Sequence, residues 1–162
     1  MTPEEKILEI KRKYGGRLKI ALNKAAKIMG QSIVDVILIR TRIEGQGTNG
    51  KLDRLEPSTK KYRKRYADNL HPDTSPNTSN LTATGQLLDA IKFTSGNGKV
   101  KVFIKNTKRK KDLGGYKSKL NNDEVRAEVE KSREFLKLSE SEKEDATKLA
   151  ANIIEEELRN LS

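Results

Sequence analysis

The sequence predicts a single α+β domain in which a small antiparallel sheet is packed by one long helix from each end of the chain. Apolar residues recur at helical spacing over about 17–42 and again over about 140–160. Between them, residues of about 92–105 alternate between apolar and polar around a Gly-Asn-Gly turn, which is typical of a β-hairpin. Each helix has one apolar stripe and the hairpin has one apolar face, so we expect the three to bury one another.

The N-terminal helix has a clear start signal. Thr2 is a potential cap, Pro3 suits a first helical position, and Glu5 follows Thr2 at the spacing of a capping box. Gly15-Gly16 is expected to interrupt or kink the helix before its long segment begins near residue 17. A strand over 33–39 is the alternative, but Asp35 and the unbroken helical period before it favour a helix.

The middle of the chain predicts a short helix followed at once by the hairpin. Thr82 or Thr84 can cap a helix in which Leu87, Leu88 and Ile91 point to the core. In the second strand, Val100, Val102 and Ile104 share one face. The opposite face consists of Lys99, Lys101, Phe103 and Lys105. The sheet is therefore expected to be half-buried, with a largely cationic outer face.

Three polar segments are predicted to be flexible loops, at about 44–52, 67–80 and 106–121. The glycines of 45–50 do not form a phosphate-binding loop, because no strand precedes them and no Gly-Lys-Ser/Thr follows. His71, the one histidine, lies in the second loop and is expected to be exposed. Asp68 and Asp73 are near it in sequence, but no second imidazole or thiolate completes a metal site.

Composition narrows the function classes. A chain of 162 residues with 33% hydrophobic and 35% charged residues can bury only a modest core. There is no cysteine, and the longest apolar run is Val36-Ile37-Leu38-Ile39, so we expect a soluble protein, made in the cytoplasm, that does not associate with membranes. Because no histidine, cysteine or glycine-loop constellation accompanies the carboxylates, we expect neither an enzyme nor a cofactor or metal site.

The net charge of +11 is unevenly distributed along the chain. Residues 1–120 carry 27 Lys and Arg against 11 Asp and Glu, or +16, whereas residues 121–162 carry 7 against 12, or −5. Such a charge favours nucleic acid or an acidic protein as the partner, although lysine-rich surfaces also serve solubility alone.

Two clusters of cations are candidates for contact with DNA or with a partner protein. One lies on a predicted short helix that begins at Pro57 and includes Tyr62 and Tyr66, whose rings either stack on bases or pack inward. The other is a basic segment beside Gly114-Gly115. The candidate residues are Lys60, Lys61, Arg63, Lys64, Arg65, Lys108, Arg109, Lys110 and Lys111.

Three segments, in this order along the chain, together resemble a known family. They are Leu55-Glu56-Pro57-Ser58-Thr59, Thr84-Gly85-Gln86-Leu87 and Arg133-Glu134-Phe135-Leu136-Lys137-Leu138-Ser139. The chain is similar here to the virion-morphogenesis or tail-completion proteins of tailed phages, which are small proteins of the head–tail neck. The motif residues with implied structural roles are Leu55, Pro57, Thr59, Thr84, Gly85, Leu87, Arg133, Phe135 and Leu136.

The resemblance implies a structural protein of the virion neck that joins the portal or an adaptor to the tail around the DNA channel. It also implies a ring of six or twelve copies, with portal, adaptor and tail proteins as partners and nonspecific contact with packaged DNA. Charge alone predicts an alternative, a free nucleic-acid-binding protein without sequence preference.

Overall fold

The computed structural model describes residues 3–81, 85–107, 121–131 and 134–160. The helices and strands in these ranges are α1 (Pro3–Leu38), β1 (Gln46–Gly47), β2 (Gly50–Lys51), α2 (Pro57–Arg65), α3 (Gln86–Asp89), β3 (Ile91–Gly96), β4 (Lys99–Ile104), α4 (Asn122–Glu130) and α5 (Glu140–Arg159). A π-helical turn over Ile39–Ile43 extends α1, and a 3₁₀ turn over Ala67–Asn69 follows α2. The predicted α+β class is confirmed, with a long helix near each end and an antiparallel hairpin between them.

The chain divides into two compact units. The first contains the described residues up to Ile33, the hairpin tip over 93–101 and the described residues from 140 onwards. The second contains the described residues of 34–92 and of 102–139. The helix α1 and the β3–β4 hairpin contribute residues to both units.

In the first unit, small residues allow α1 to lie close to the hairpin. A Cβ on Gly30 would be 2.3 Å from the Phe93 ring, and one on Gly98 would be 3.7 Å from the Leu22 side chain. Ala21, Ala25 and Ala26 on the same helix are buried. The predicted hairpin turn is confirmed, since Asn97 and Gly98 both have positive φ, as the two-residue turns of hairpins require.

The expected interruption of the helix at Gly15-Gly16 is wrong. The helix α1 continues through both glycines from Pro3 to Leu38. A glycine inside a helix costs only about 1 kcal/mol relative to alanine, and the periodic apolar stripe that follows outweighs this cost. Residues 33–39 are helical, as predicted, and do not form the alternative strand.

In the second unit, the core is formed by apolar side chains from widely separated segments. Leu87, Leu88 and Ile91 are buried as predicted, although Ile91 already belongs to β3 and not to the short helix. The remaining apolar core residues of this unit are Val34, Ile37, Leu52, Leu55, Ala90, Ile104 and Phe135. Thr82 and Thr84, the predicted caps of α3, lie outside the described residues.

Two of the predicted flexible loops have a definite structure where they are described. Residues 44–52 contain a two-stranded antiparallel ribbon, in which Gln46 pairs with Lys51 and Gly47 with Gly50. Residues 67–80 begin with the 3₁₀ turn and end with Ser79 and Asn80 buried. Of the third predicted loop, 106–121, only Asn106, Thr107 and Asn121 are described.

Gly47 and Gly16 provide a matched pair of substitutions for testing the packing of the β1–β2 ribbon. We expect Gly47→Ala to destabilise the fold by about 1–3 kcal/mol, because its Cβ would lie 2.4 Å from the carbonyl oxygen of Glu134. Gly16→Ala introduces a Cβ that meets nothing within 4 Å inside a helix, and should stabilise the fold by about 0.5–1 kcal/mol. Urea denaturation followed by circular dichroism measures both changes. An unchanged stability of Gly47→Ala would contradict the tight packing described.

None of the helices in the described part of the chain is long and apolar enough to cross a membrane.

Candidate nucleic-acid and partner interface

The predicted basic helix is present as α2 and begins at Pro57, as predicted. Glu56 has the extended conformation that a residue before proline favours, with φ −57° and ψ 146°. Proline itself suits the first turn because its missing N–H would have no partner within the helix. Arg63, Lys64 and Arg65 fall in the last turn, where positive charge complements the helix dipole.

The solvent-facing side of α2 is strongly cationic. Lys61, Lys64 and Arg65 are exposed, and their spacing of three and four residues places them on one face of the helix. Lys60 is half-buried. Among the described residues, no carboxylate forms an ion pair with Lys60, Lys61 or Lys64. We call Lys61, Lys64 and Arg65 the α2 cationic face.

The cations near the C-terminal end of the chain are arranged differently. Most are paired with a carboxylate three or four residues away on the same helix. These pairs are Arg126–Glu130, Lys131–Glu128, Lys143–Glu140, Lys148–Asp145 and Arg159–Glu155. Local pairing cancels most of the charge that these cations present to a polyanion, whereas the α2 cationic face retains its charge.

Arg63 was predicted to contact DNA or a partner together with its neighbours, and this is wrong. Its side chain points to the opposite side of α2 and only 5% of the residue is exposed. The Nη1 group donates to the carbonyl oxygens of Ser75 (2.7 Å) and Thr78 (3.0 Å) and approaches Asn80 Oδ1 at 3.3 Å. Arg63 therefore holds the 75–80 segment on α2 and is not available to a phosphate.

Asn80 extends this arrangement towards the end of α1. It is 2% exposed, and its amide donates to the carbonyl oxygens of Asp73 (2.7 Å) and Arg42 (3.1 Å). The guanidinium of Arg42 in turn forms an ion pair with Asp89 and lies 3.6 Å from the Asp73 carboxylate. Residues 73–80 are thus held at several points by the side chains of Arg63, Asn80 and Arg42.

The two tyrosines of α2 pack against each other. Their ring centroids are 4.5 Å apart with the planes tilted by 46°, and both residues are half-buried. The guanidinium of Arg65 lies 5.7 Å from the centre of the Tyr66 ring. A nucleic-acid base could stack on Tyr66 only after displacing these neighbours, so α2 is suited to contact phosphates and not bases.

The three sequence motifs converge in the second unit. Leu55 and Leu87 are buried, and Phe135 is completely buried. Gly85 has φ +71°, and a Cβ there would lie 2.4 Å from the His71 ring, so both the conformation and the space favour glycine. Thr59 and Leu136 are half-buried, and the Leu136 N–H donates to Glu130 Oε1 at 3.3 Å.

A second arginine, which the sequence pattern did not single out, anchors the third motif. Arg40 is 6% exposed, and its Nη2 group donates to the carbonyl oxygens of Phe135 (2.6 Å) and Lys137 (2.9 Å). The hydroxyl of Thr48 also donates to the Lys137 carbonyl oxygen, at 2.9 Å. The backbone N–H of Thr48 donates to the Glu134 carbonyl oxygen, at 2.8 Å. The segment 134–137 is therefore fixed to the end of α1 and to the β1–β2 ribbon.

A small pocket of about 270 Å³ lies beside this segment. Its lining includes Asn49, Lys51, Glu130 and Glu134. Hydrogen bonding from Lys137 lowers the pKa of Glu134, with a smaller contribution from Asn49. The carboxylate of Glu134 is therefore already paired and offers little to a ligand.

His71 was predicted to be exposed, but only 22% of its side chain is exposed. Its Nδ1 accepts a hydrogen bond from the Asp73 N–H at 3.2 Å and lies 3.5 Å from the Asp73 carboxylate. In the described ranges, no group of three or more His, Cys, Asp or Glu side chains is arranged to hold a metal ion. Here the histidine packs against Gly85 and stabilises a turn.

Several candidate residues cannot be placed. Lys108, Arg109, Lys110 and Lys111, as well as Thr84 and Arg133 of the motifs, lie outside the described residues.

Comparison with known proteins yields no relative: the chain matches no protein-family model, no curated protein and no solved structure.

Proposed function

We propose that this protein is a structural subunit of the head–tail neck of a tailed phage, where copies form a closed ring of six or twelve around the DNA channel. In this role it contacts the portal or an adaptor on one side and a tail protein on the other. It carries out no chemistry, and its location is the virion.

The observation that carries the proposal is the convergence of three motifs on one compact unit. Leu55, Leu87 and Phe135 come from segments far apart in the chain, yet all are core residues of the second unit. Their common role as core residues supports the resemblance on which the neck assignment rests.

The α2 cationic face supports a contact with packaged DNA. Its lysines are exposed and have no carboxylate partner in the described part of the chain, and the tyrosine rings beside them are already packed. Contacts through phosphates alone suit a channel through which DNA has to slide, because they carry no sequence information. The same face could instead bind an acidic surface of the portal or tail neighbour.

A free nucleic-acid-binding protein is the second candidate function, and the same cationic face favours it. Negative-stain images of the purified protein distinguish the two. Closed rings support the neck assignment, whereas compact monomers that bind DNA tightly support the alternative. Monomers that neither assemble nor bind DNA would contradict both.

The salt dependence of DNA binding tests the role of the α2 cationic face. Replacing Lys61, Lys64 and Arg65 with serine should lower the magnitude of the slope of log K against log salt by up to about 2.7, since each phosphate contact contributes about 0.9. The matched control replaces Lys143, Lys148 and Arg159, which removes the same charge from cations that are already paired.

The outcome separates a local contact from a general charge effect. A reduced slope in the α2 variant, with little change in the control, assigns the contact to this face. Equal changes in both variants would show that only net charge matters. If the α2 variant binds DNA normally but no longer attaches to its virion neighbours, the face is a protein-docking surface.

A further inference from the structure

The C-terminal helix α5 is unusual among the longer elements because none of its residues is buried. Its apolar stripe of Ala146, Leu149, Ala150, Ile153 and Ile154 is only half-covered. Leu158, near its end, is 38% exposed. A 20-residue helix gains most of its stability from packing, so α5 is held in the first unit by an incomplete apolar contact.

The charges of α5 and α1 attract each other. Residues 12–33 contain six Lys and Arg and no Asp or Glu, whereas Glu140–Arg159 contains seven acidic and three basic residues. One ion pair between the helices is seen directly, from Lys24 to Glu157. Lys24 also donates a hydrogen bond to Glu157, and this bond is the main reason that the pKa of Lys24 is raised. Any copy of α5 is therefore complementary to any copy of α1.

The first unit also leaves apolar surface in water. On α1, Leu18 is 41% exposed, Ile20 is 64% exposed and Ile28 is 40% exposed. Together with Leu158, these side chains are apolar surface that the first unit leaves exposed. A second copy held beside α1 by its own α5 can cover part of this surface.

The attachment of α5 provides a fixed base from which the helix can be exchanged. Arg40 and Thr48 bind the backbone carbonyls of Phe135 and Lys137, and α5 begins only three residues later, at Glu140. The contacts that fix this base do not involve any side chain of α5. Release of α5 from its own α1 would therefore leave the second unit intact.

From these observations we infer that α5 is an exchangeable arm, which docks on the α1 helix of a second copy of this chain as it docks on its own. The acceptor surface is the part of α1 around Lys24, with the Lys24–Glu157 ion pair fixing the register between copies. Head-to-tail exchange of this kind joins copies into a chain or a closed ring. The inference does not depend on the neck assignment, since it concerns only how copies join.

The absence of cysteine from the sequence allows a direct test by disulfide crosslinking. Lys24→Cys and Glu157→Cys are prepared as separate full-length variants, mixed at high concentration, incubated and oxidised mildly. Arm exchange predicts a disulfide between the two variants that exceeds crosslinking of either variant with itself. Lys19→Cys is the matched control, because it is an exposed lysine of the same helix turned about 140° away from Lys24, given about 100° per residue.

The double variant Lys24→Cys, Glu157→Cys provides the second part of the test. Exchange between copies yields covalent multimers from this variant, in a proportion that rises with protein concentration. Only an internal disulfide in the double variant, with no mixed disulfide above the Lys19→Cys background, would overturn the inference. Native mass spectrometry of mixed heavy- and light-isotope wild-type protein checks the exchange without any substitution, and a lack of mixed species would also overturn it.

This result is independent of where the protein acts. A mixed disulfide together with absence of the protein from virion necks would leave the arm exchange standing and refute the proposed function. Neck rings built from copies with only internal disulfides would support the proposed function and refute arm exchange.

Discussion

Arg63→Ala is expected to destabilise the fold by about 3 kcal/mol, although Arg63 lies in a run of otherwise exposed cations. The substitution removes a buried charged donor and leaves the carbonyl oxygens of Ser75 and Thr78 without their partner. Each unpaired buried acceptor costs about 1–3 kcal/mol, and water can restore part of this because the two carbonyls are only partly buried. The midpoint of urea denaturation measures the loss.

Lys64→Ala is the matched control for Arg63→Ala. Lys64 is the next residue and is exposed, so its removal should change stability by no more than about 0.5 kcal/mol. In DNA binding, by contrast, Lys64→Ala should have the larger effect of the two variants. Lys64→Ala should lower the salt slope by about 0.9, and folded Arg63→Ala should leave it unchanged.

Arg63→Lys examines why this position is an arginine. A lysine keeps the charge but replaces a planar group of five donors with a single ammonium on a flexible stem, so it should recover only part of the lost stability. Full stability of Arg63→Ala, combined with a reduced salt slope, would show that Arg63 faces the ligand after all.

The apolar pattern of the sequence was sufficient to predict the main elements. The stripes of α1 and α5 and the alternation of β4 each repeat several times, and repetition is what makes such a pattern distinctive. The same is true of turn chemistry, since Pro57 and Asn97-Gly98 have few conformations available and both occur as predicted.

The buried polar contacts could not be predicted in this way. Arg63 belongs to a sequence of cations that looks uniform, and only the three-dimensional position of the 75–80 carbonyls distinguishes it from Lys64. Arg40 likewise bonds to carbonyls of residues 135 and 137, nearly a hundred positions away. Periodicity within one segment contains no information about such distant partners.

Polar composition was also a poor guide to flexibility. Residues 67–80 contain the two prolines and many turn-forming residues that predict a flexible loop, yet Asn80 bonds to two backbone carbonyls and Arg63 to two more. The apolar positions of α4 are sparse, so periodicity alone is a poor signal for this helix. It begins with a capping box between Asn121 and Glu124, and Asn122 fixes it to the end of the hairpin through Lys105 and Thr107.

Phe135→Ala is expected to have the largest effect on stability of the substitutions considered. Phe135 is the largest of the completely buried side chains, and its removal leaves a cavity that Arg40 and Thr48 prevent from closing, because they hold the backbone on both sides of it. Phe→Ala substitutions in such sites cost about 3–5 kcal/mol, which is a large fraction of the stability of a small protein.

The neighbouring residues provide the controls for Phe135→Ala. Lys137→Ala removes a side chain that is 71% exposed and pairs with Glu134, while the Lys137 carbonyl that Arg40 binds remains. Its expected cost is below about 1 kcal/mol, as for exposed ion pairs in general. Phe135→Leu refills most of the cavity and should recover more than half of the loss. If Phe135→Ala and Lys137→Ala unfolded at the same urea concentration, residues 134–137 would not be a fixed part of the core, and α5 would lack the fixed base that arm exchange requires.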